Sequence, residues 1–91
     1  MNVQAQYNYT TLSVPGAANT WALGISGNNV VGTYLNGGSH QGFLYNGSSY
    51  TTLTVPGATW TWALGISGNN IVGWYGTGSS YQGFLYNLNP A

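Results

Sequence analysis

Few side chains in this sequence could do covalent or acid–base chemistry. His40 is its one histidine, Ser39 stands beside it, and Asp, Glu, Lys, Arg and Cys are all absent from the 91 residues. An imidazole can serve as a general base, but a Ser–His pair needs a third group to orient the ring, and glycoside hydrolysis needs paired carboxylates. Neither is present, so the composition argues against an enzyme. A single histidine with no thiolate or carboxylate leaves no ligand set for a metal, and neither a metal nor another cofactor is expected. Glycine-rich stretches are plentiful, but none opens a helical pattern as a phosphate cradle does, and they read as hairpin turns.

What the sequence does hold in quantity is aromatic rings and neutral hydrogen-bonding groups: four Trp, eight Tyr, and many Asn, Gln, Ser and Thr. Neutral glycans are bound by such a set, the apolar face of a sugar ring stacking on an aromatic while amides and hydroxyls read its hydroxyl groups. The candidate ligand-binding residues are Trp60, Trp74, Tyr81, Asn19, His40, Gln41 and Gln82. The competing reading is that they record drift in exposed loops. Trp21, Trp62, Phe43, Phe84, Tyr45 and Tyr86, identical in both repeats, are expected to be inter-blade core. Without Lys or Arg there is no electrostatic footprint for nucleic acid or anionic lipid, so neither is an expected partner. No run approaches the roughly 18 apolar residues of a spanning helix, and Met1 is followed by polar NVQAQ rather than an apolar leader.

The elements that would position these residues come from an internal repeat. Residues 9–49 align with 50–90 at 29 of 41 positions without a gap. A period of 41, rich in aromatic and β-branched residues and without a helical pattern, suits a four-stranded β-propeller blade. In WALGIS, alternation places Trp21, Leu23 and Ile25 on one face and Ala22, Gly24 and Ser26 on the other, as an innermost strand would require. Gly27-Asn28-Asn29 turns the chain on the positive φ that Gly and Asn tolerate. Further strands are expected over 30–35, 40–46 and 50–55, the last ended by Pro56-Gly57. The substitutions between repeats, including Asn19/Trp60, Thr33/Trp74, Leu35/Gly76 and His40/Tyr81, fall in or beside the loops of one end.

This order puts the blades out of phase with the chain: an outer strand at 7–14, a complete blade at 20–55, and three strands of a blade at 61–87. The fold expected is all-β, with two four-stranded propeller blades per chain assembling into an oligomeric β-propeller. The 7–14 strand of one copy completes the last blade of the next, head to tail. Propellers hold about four to eight blades, so three chains and six blades are preferred, with a dimer or tetramer as alternatives.

The pieces VPGA, WALGISGNN, VVG and QGFLY, recurring in the same order twice, resemble the HAF-type extracellular repeat. The resemblance implies a propeller-blade fold and an extracellular or cell-surface location, and leaves activity open. The absence of any acidic residue in the Gly-Asn-Asn turn departs from that pattern. It fits a consensus, reconstructed or designed two-blade variant, and argues against a metal held through turn carboxylates. The functions expected are a self-assembling scaffold or lectin-like binding module or, alternatively, a filament subunit or an engineered propeller without a natural ligand.

Overall fold

Seven antiparallel strands and no helix make up residues 8–89, the part of the chain that the computed structural model describes. The first sheet holds β1 (Asn19–Ser26), β2 (Asn29–Asn36), β3 (Ser39–Tyr45) and β4 (Tyr50–Leu53) in that order, and the second holds β5 (Trp60–Ser67), β6 (Asn70–Thr77) and β7 (Ser80–Asn87). Each strand pairs with its sequence neighbour, because every connection inside a sheet is a short hairpin. Within the chain, residues 8–14 form no strand; Tyr7, the first residue of the strand expected there, lies outside the described residues.

The turns follow from glycine placement. Gly27 and Gly68 have φ of 59°, and among the described residues none other than glycine has positive φ, so Asn28 does not share that role as expected. One left-handed residue in first position, filled by glycine, is the signature of a type II′ hairpin. At the next hairpin Gly37 and Gly38 are both left-handed, a type I′ signature, whereas in the second repeat only Gly78 is, with Ser79 following.

The inner strands differ from the expected simple alternation. Ala22 pairs with Gly32 but Gly24 pairs with Val31, so Leu23 is an extra residue in a bulge; Leu64 occupies the same place between Ala63 and Gly65. A bulge switches the face on which each later residue of the strand lies. Trp21, opposite Thr33, therefore shares a face with Gly24 and Val31, while Ile25, opposite Val30, lies on the other face with Ala22. Trp21 and Ile25 point to opposite sides, contrary to the alternation rule.

That facing decides how the sheets meet. The face of the first sheet carrying Gly24, Val31, Thr33 and Gly42, its front, receives β5. A Cβ on Gly24 would lie 3.1 Å from the Gly65 Cα and one on Gly42 3.4 Å from the Thr61 methyl group, so glycine lets the strands approach closely. Val31, Ala63 and Ile71 form the buried centre of the contact, with Leu44, Leu53, Ile66 and Phe84 packed against it. The Thr33 hydroxyl bridges the Gln41 and Thr61 carbonyls at 2.9 and 3.3 Å. On the back of the first sheet Val14 covers Phe43 and Tyr34, with Val30, Tyr45 and Tyr50 around them.

The segments leading into the two sheets are built alike. The Val14 amide donates to Thr20 Oγ1 at 3.1 Å, as that of Val55 does to Thr61 Oγ1 at 3.3 Å. The Ala17 and Ala58 amides each donate to the valine carbonyl three residues earlier at 3.0 Å, and those of Ala18 and Thr59 reach the Leu35 and Gly76 carbonyls at 2.9 and 2.7 Å. One repeat of sequence thus gives one repeat of connector geometry.

Candidate functional site

Seven of the twelve positions that differ between repeats, 18, 19, 33, 35, 36, 38 and 40 with their counterparts, lie toward one end of the sheets. Asn19 pairs with Leu35, and Leu35 with His40; in the second sheet Trp60 pairs with Gly76, and Gly76 with Tyr81. Cross-strand partners share a face, so Asn19, Leu35 and His40 lie in a row on the front of the first sheet, and Trp60, Gly76 and Tyr81 in the matching row of the second.

In the second sheet these positions form an aromatic patch. Trp60 and Tyr81 stack with ring centres 5.9 Å apart, Trp74 lies 5.6 Å from Tyr81, and Trp62 is 5.4 Å from Trp74 and 6.1 Å from Tyr81. Gly76 permits this, because a Cβ there would run into the six-membered ring of Trp60. The first sheet has Leu35 at that position and no such patch. Trp74 and Tyr81 remain about half exposed, offering ring faces to solvent.

His40 joins the patch from the first sheet. Its ring sits between Trp21 at 5.4 Å and Trp62 at 5.5 Å, and its Nδ1 is buried without a hydrogen-bond partner. Among the described residues no hydrogen bond orients the ring through Nδ1, and it lies tilted by 38° and 39° to the two indoles in an aromatic cluster.

Of the residues singled out in the sequence, Trp60, Trp74, Tyr81 and His40 are brought together, with exposed Asn19 in the His40 row. Gln41 and Gln82 are not. They pair with Tyr34 and Tyr75 and so face the opposite side, where Gln41 Oε1 accepts from the Thr54 hydroxyl at 2.8 Å. Trp62, expected as inter-blade core, reaches His40 of the first sheet and is also the hub of the patch, near Trp60, Trp74 and Tyr81. The Trp60-x-Trp62 spacing carries that signal, since residues two apart in a strand share a face. Of the other residues expected as inter-blade core, Phe43 is fully buried, while Trp21 and Tyr86 are exposed within a single copy. Among the described residues no group of three or more potential metal ligands occurs. The chain matches no protein-family model, no curated protein and no solved structure.

Proposed function

We infer that this protein is a non-catalytic, self-assembling β-propeller module, two blade-like sheets per copy, whose copies stack front to back. The observation that carries the reading is that the same residues are buried at one sheet boundary and bare at the next. Val31, on the front of the first sheet, is fully buried, whereas its counterpart Val72 is 49% exposed and Leu85, the counterpart of Leu44, 69%. On the back faces the pattern reverses: Ile71 is fully buried and Ile66 packs beside it, while Ile25, the counterpart of Ile66, is 68% exposed. The bare front of one copy thus carries the apolar residues that fit the bare back of another, and the contact inside the chain is the template. Such a contact is head to tail, closing into a ring or running on as a filament.

Mass in solution tests this. Native mass spectrometry and sedimentation at micromolar concentration should give a discrete multiple of the chain, three copies being preferred. Leu85→Asp, a charge placed in the apolar contact, should weaken association about a hundredfold. A folded single chain at that concentration overturns the reading, and species that lengthen with concentration convert the ring into a filament.

A second reading is favoured by the aromatic patch. Trp74 stands where the first sheet has buried Thr33, over which the Thr61 carbonyl rests, so a second copy cannot seat there as β5 does. The contact between copies closes over Val72 and Leu85 and stays open at the aromatic end. Open tryptophan and tyrosine faces without charge suit a neutral glycan, and the likeness to extracellular repeats agrees with that setting. Tryptophan fluorescence during titration with neutral oligosaccharides should saturate in the millimolar range, as for a weak site repeated around an assembly. Trp74→Ala should abolish the response; a response unchanged by that substitution removes the reading.

A further inference from the structure

The second sheet has a receptor-like cleft whose occupant the first sheet displays. In the first sheet β4 pairs with β3 in the register Tyr45–Tyr50, Leu44–Thr51, Phe43–Thr52 and Gly42–Leu53. Tyr50 anchors this strand. Its ring lies 4.5 Å from that of Tyr45 and edge-on to Phe43 at 5.8 Å, and its hydroxyl accepts from the Ser13 amide at 3.0 Å. The Tyr34 and Thr52 hydroxyls are 2.9 Å apart, adding a second polar tie.

Moved forward by one repeat, every receiving group of that arrangement is present and its tyrosine is not. Phe84 and Tyr86 stand for Phe43 and Tyr45, Thr54 for Ser13, and Tyr75 for Tyr34. A cleft of about 320 Å³ lies in this place, bordered by Thr54, Val55, Pro56, Phe84 and Tyr86 among others. Tyr86 is half exposed and the outer edge of β7 has no strand beside it among the described residues. The sequence YTTL that forms β4 also occurs at residues 9–12, where no strand forms and Tyr9 is 92% exposed. The shared connector geometry sets the 9–12 segment before the back of the first sheet as β4 stands before that of the second: Leu12 borders Ala22, Ile25 and Val30, as Leu53 packs with Ala63 and Ile71.

We propose that the cleft beside β7 is a tyrosine-specific docking site for residues 9–12 of a second copy. Tyr9 inserts between Phe84, Tyr86 and the 54–56 connector, with its hydroxyl accepting from the Thr54 amide. The strand lies antiparallel to β7 in the register Tyr9–Tyr86, Thr10–Leu85, Thr11–Phe84 and Leu12–Gly83. The Thr11 hydroxyl meets that of Tyr75. This inference rests on the self-assembly reading and adds to it which segment crosses and in what register.

The absence of cysteine makes the register directly testable. A chain carrying Thr10→Cys and Leu85→Cys, oxidised under mild conditions, should form disulfides between chains in high yield. Thr11→Cys with Leu85→Cys should not, because a one-residue slip turns the side chain to the other face. Tyr9→Ala should weaken association at least about tenfold and Tyr9→Phe by less, as expected for an anchoring aromatic that loses its ring or only its hydroxyl. Circular dichroism of the separated chains should be unchanged by either substitution, since Tyr9 contributes nothing to its own copy. If the wild type forms oligomers but the Thr11→Cys, Leu85→Cys chain cross-links, or Tyr9→Ala associates normally, the register is overturned while self-assembly stands. A wild type that stays a single chain overturns both.

Discussion

At the scale of single residues, the repeat is held by atoms that leave no room for substitution and by one aromatic cluster that has room to spare. A Cβ on Gly32 would collide with the Trp21 carbonyl oxygen and come within 2.8 Å of the Phe43 ring, and Gly73 is caught the same way between Trp62 and Phe84. Gly32→Ala should destabilise the fold by about 3 kcal/mol or more, since rigid backbone and a buried ring must both yield; a urea midpoint within error of the wild type would refute this. His40 is the opposite case. Its buried Nδ1 lacks a partner while its ring packs at a tilt between two tryptophans, so His40→Phe should hold or raise stability by about 1 kcal/mol and His40→Ala should lower it by about 1–2 kcal/mol. Chemical denaturation of the two variants separates ring packing from the polar penalty. Residue types showed that no catalytic apparatus could be built. They did not show that Trp62 rather than Gln41 or Gln82 completes the patch, because that depends on which face each strand turns outward.

At the scale of elements, the strands and hairpins were legible because glycine and asparagine punctuate a β-rich sequence at even spacing. β1 to β3 fall within one or two residues of the segments read from the pattern, β5 to β7 together span 60–87 against the 61–87 expected for three strands, and β4 stops at Leu53 rather than Val55. The facing inside β1 was not legible. WALGIS alternates large and small residues cleanly, yet the ladder skips Leu23, and nothing in six residues distinguishes a continuous strand from a bulged one. The bulge serves both sides: it turns Trp21 toward His40 while leaving Ile25 on the back. Turn chemistry gives a test at the same scale. Gly38→Ser, keeping Gly37, changes the first hairpin into the type of the second and should cost under about 1 kcal/mol. Gly37→Val forces a branched residue into the left-handed region and should cost about 1–2 kcal/mol or more. Equal losses by thermal denaturation would contradict the turn assignment.

At the scale of the whole molecule, stability rests on burial and neutral hydrogen bonds alone. With no side-chain carboxylate, no such group can take up protons on unfolding as the pH falls, so the slope of stability with pH has no side-chain carboxylate contribution in the acid range. With the one titratable imidazole removed, as in His40→Phe, urea midpoints at pH 3 and pH 5 should coincide, and raising the salt should not lower them by screening, since no charged side-chain pair exists to be screened. A steep acid transition would show that this picture of the fold is wrong. The close approach of Gly24 to Gly65 has one more consequence. Of the second sheet, the β5 backbone comes nearest the first, while β6 and β7 reach it through the larger side chains of Ile71 and Phe84, so the two sheets lie closer along the β5 margin than along the other. Tapered units laid side by side bend like the stones of an arch, and the thinness of the narrow margin sets the curvature. In the ring proposed above, bulk added there, as in Gly24→Ala, should flatten the bend and raise the number of copies, which native mass spectrometry would read.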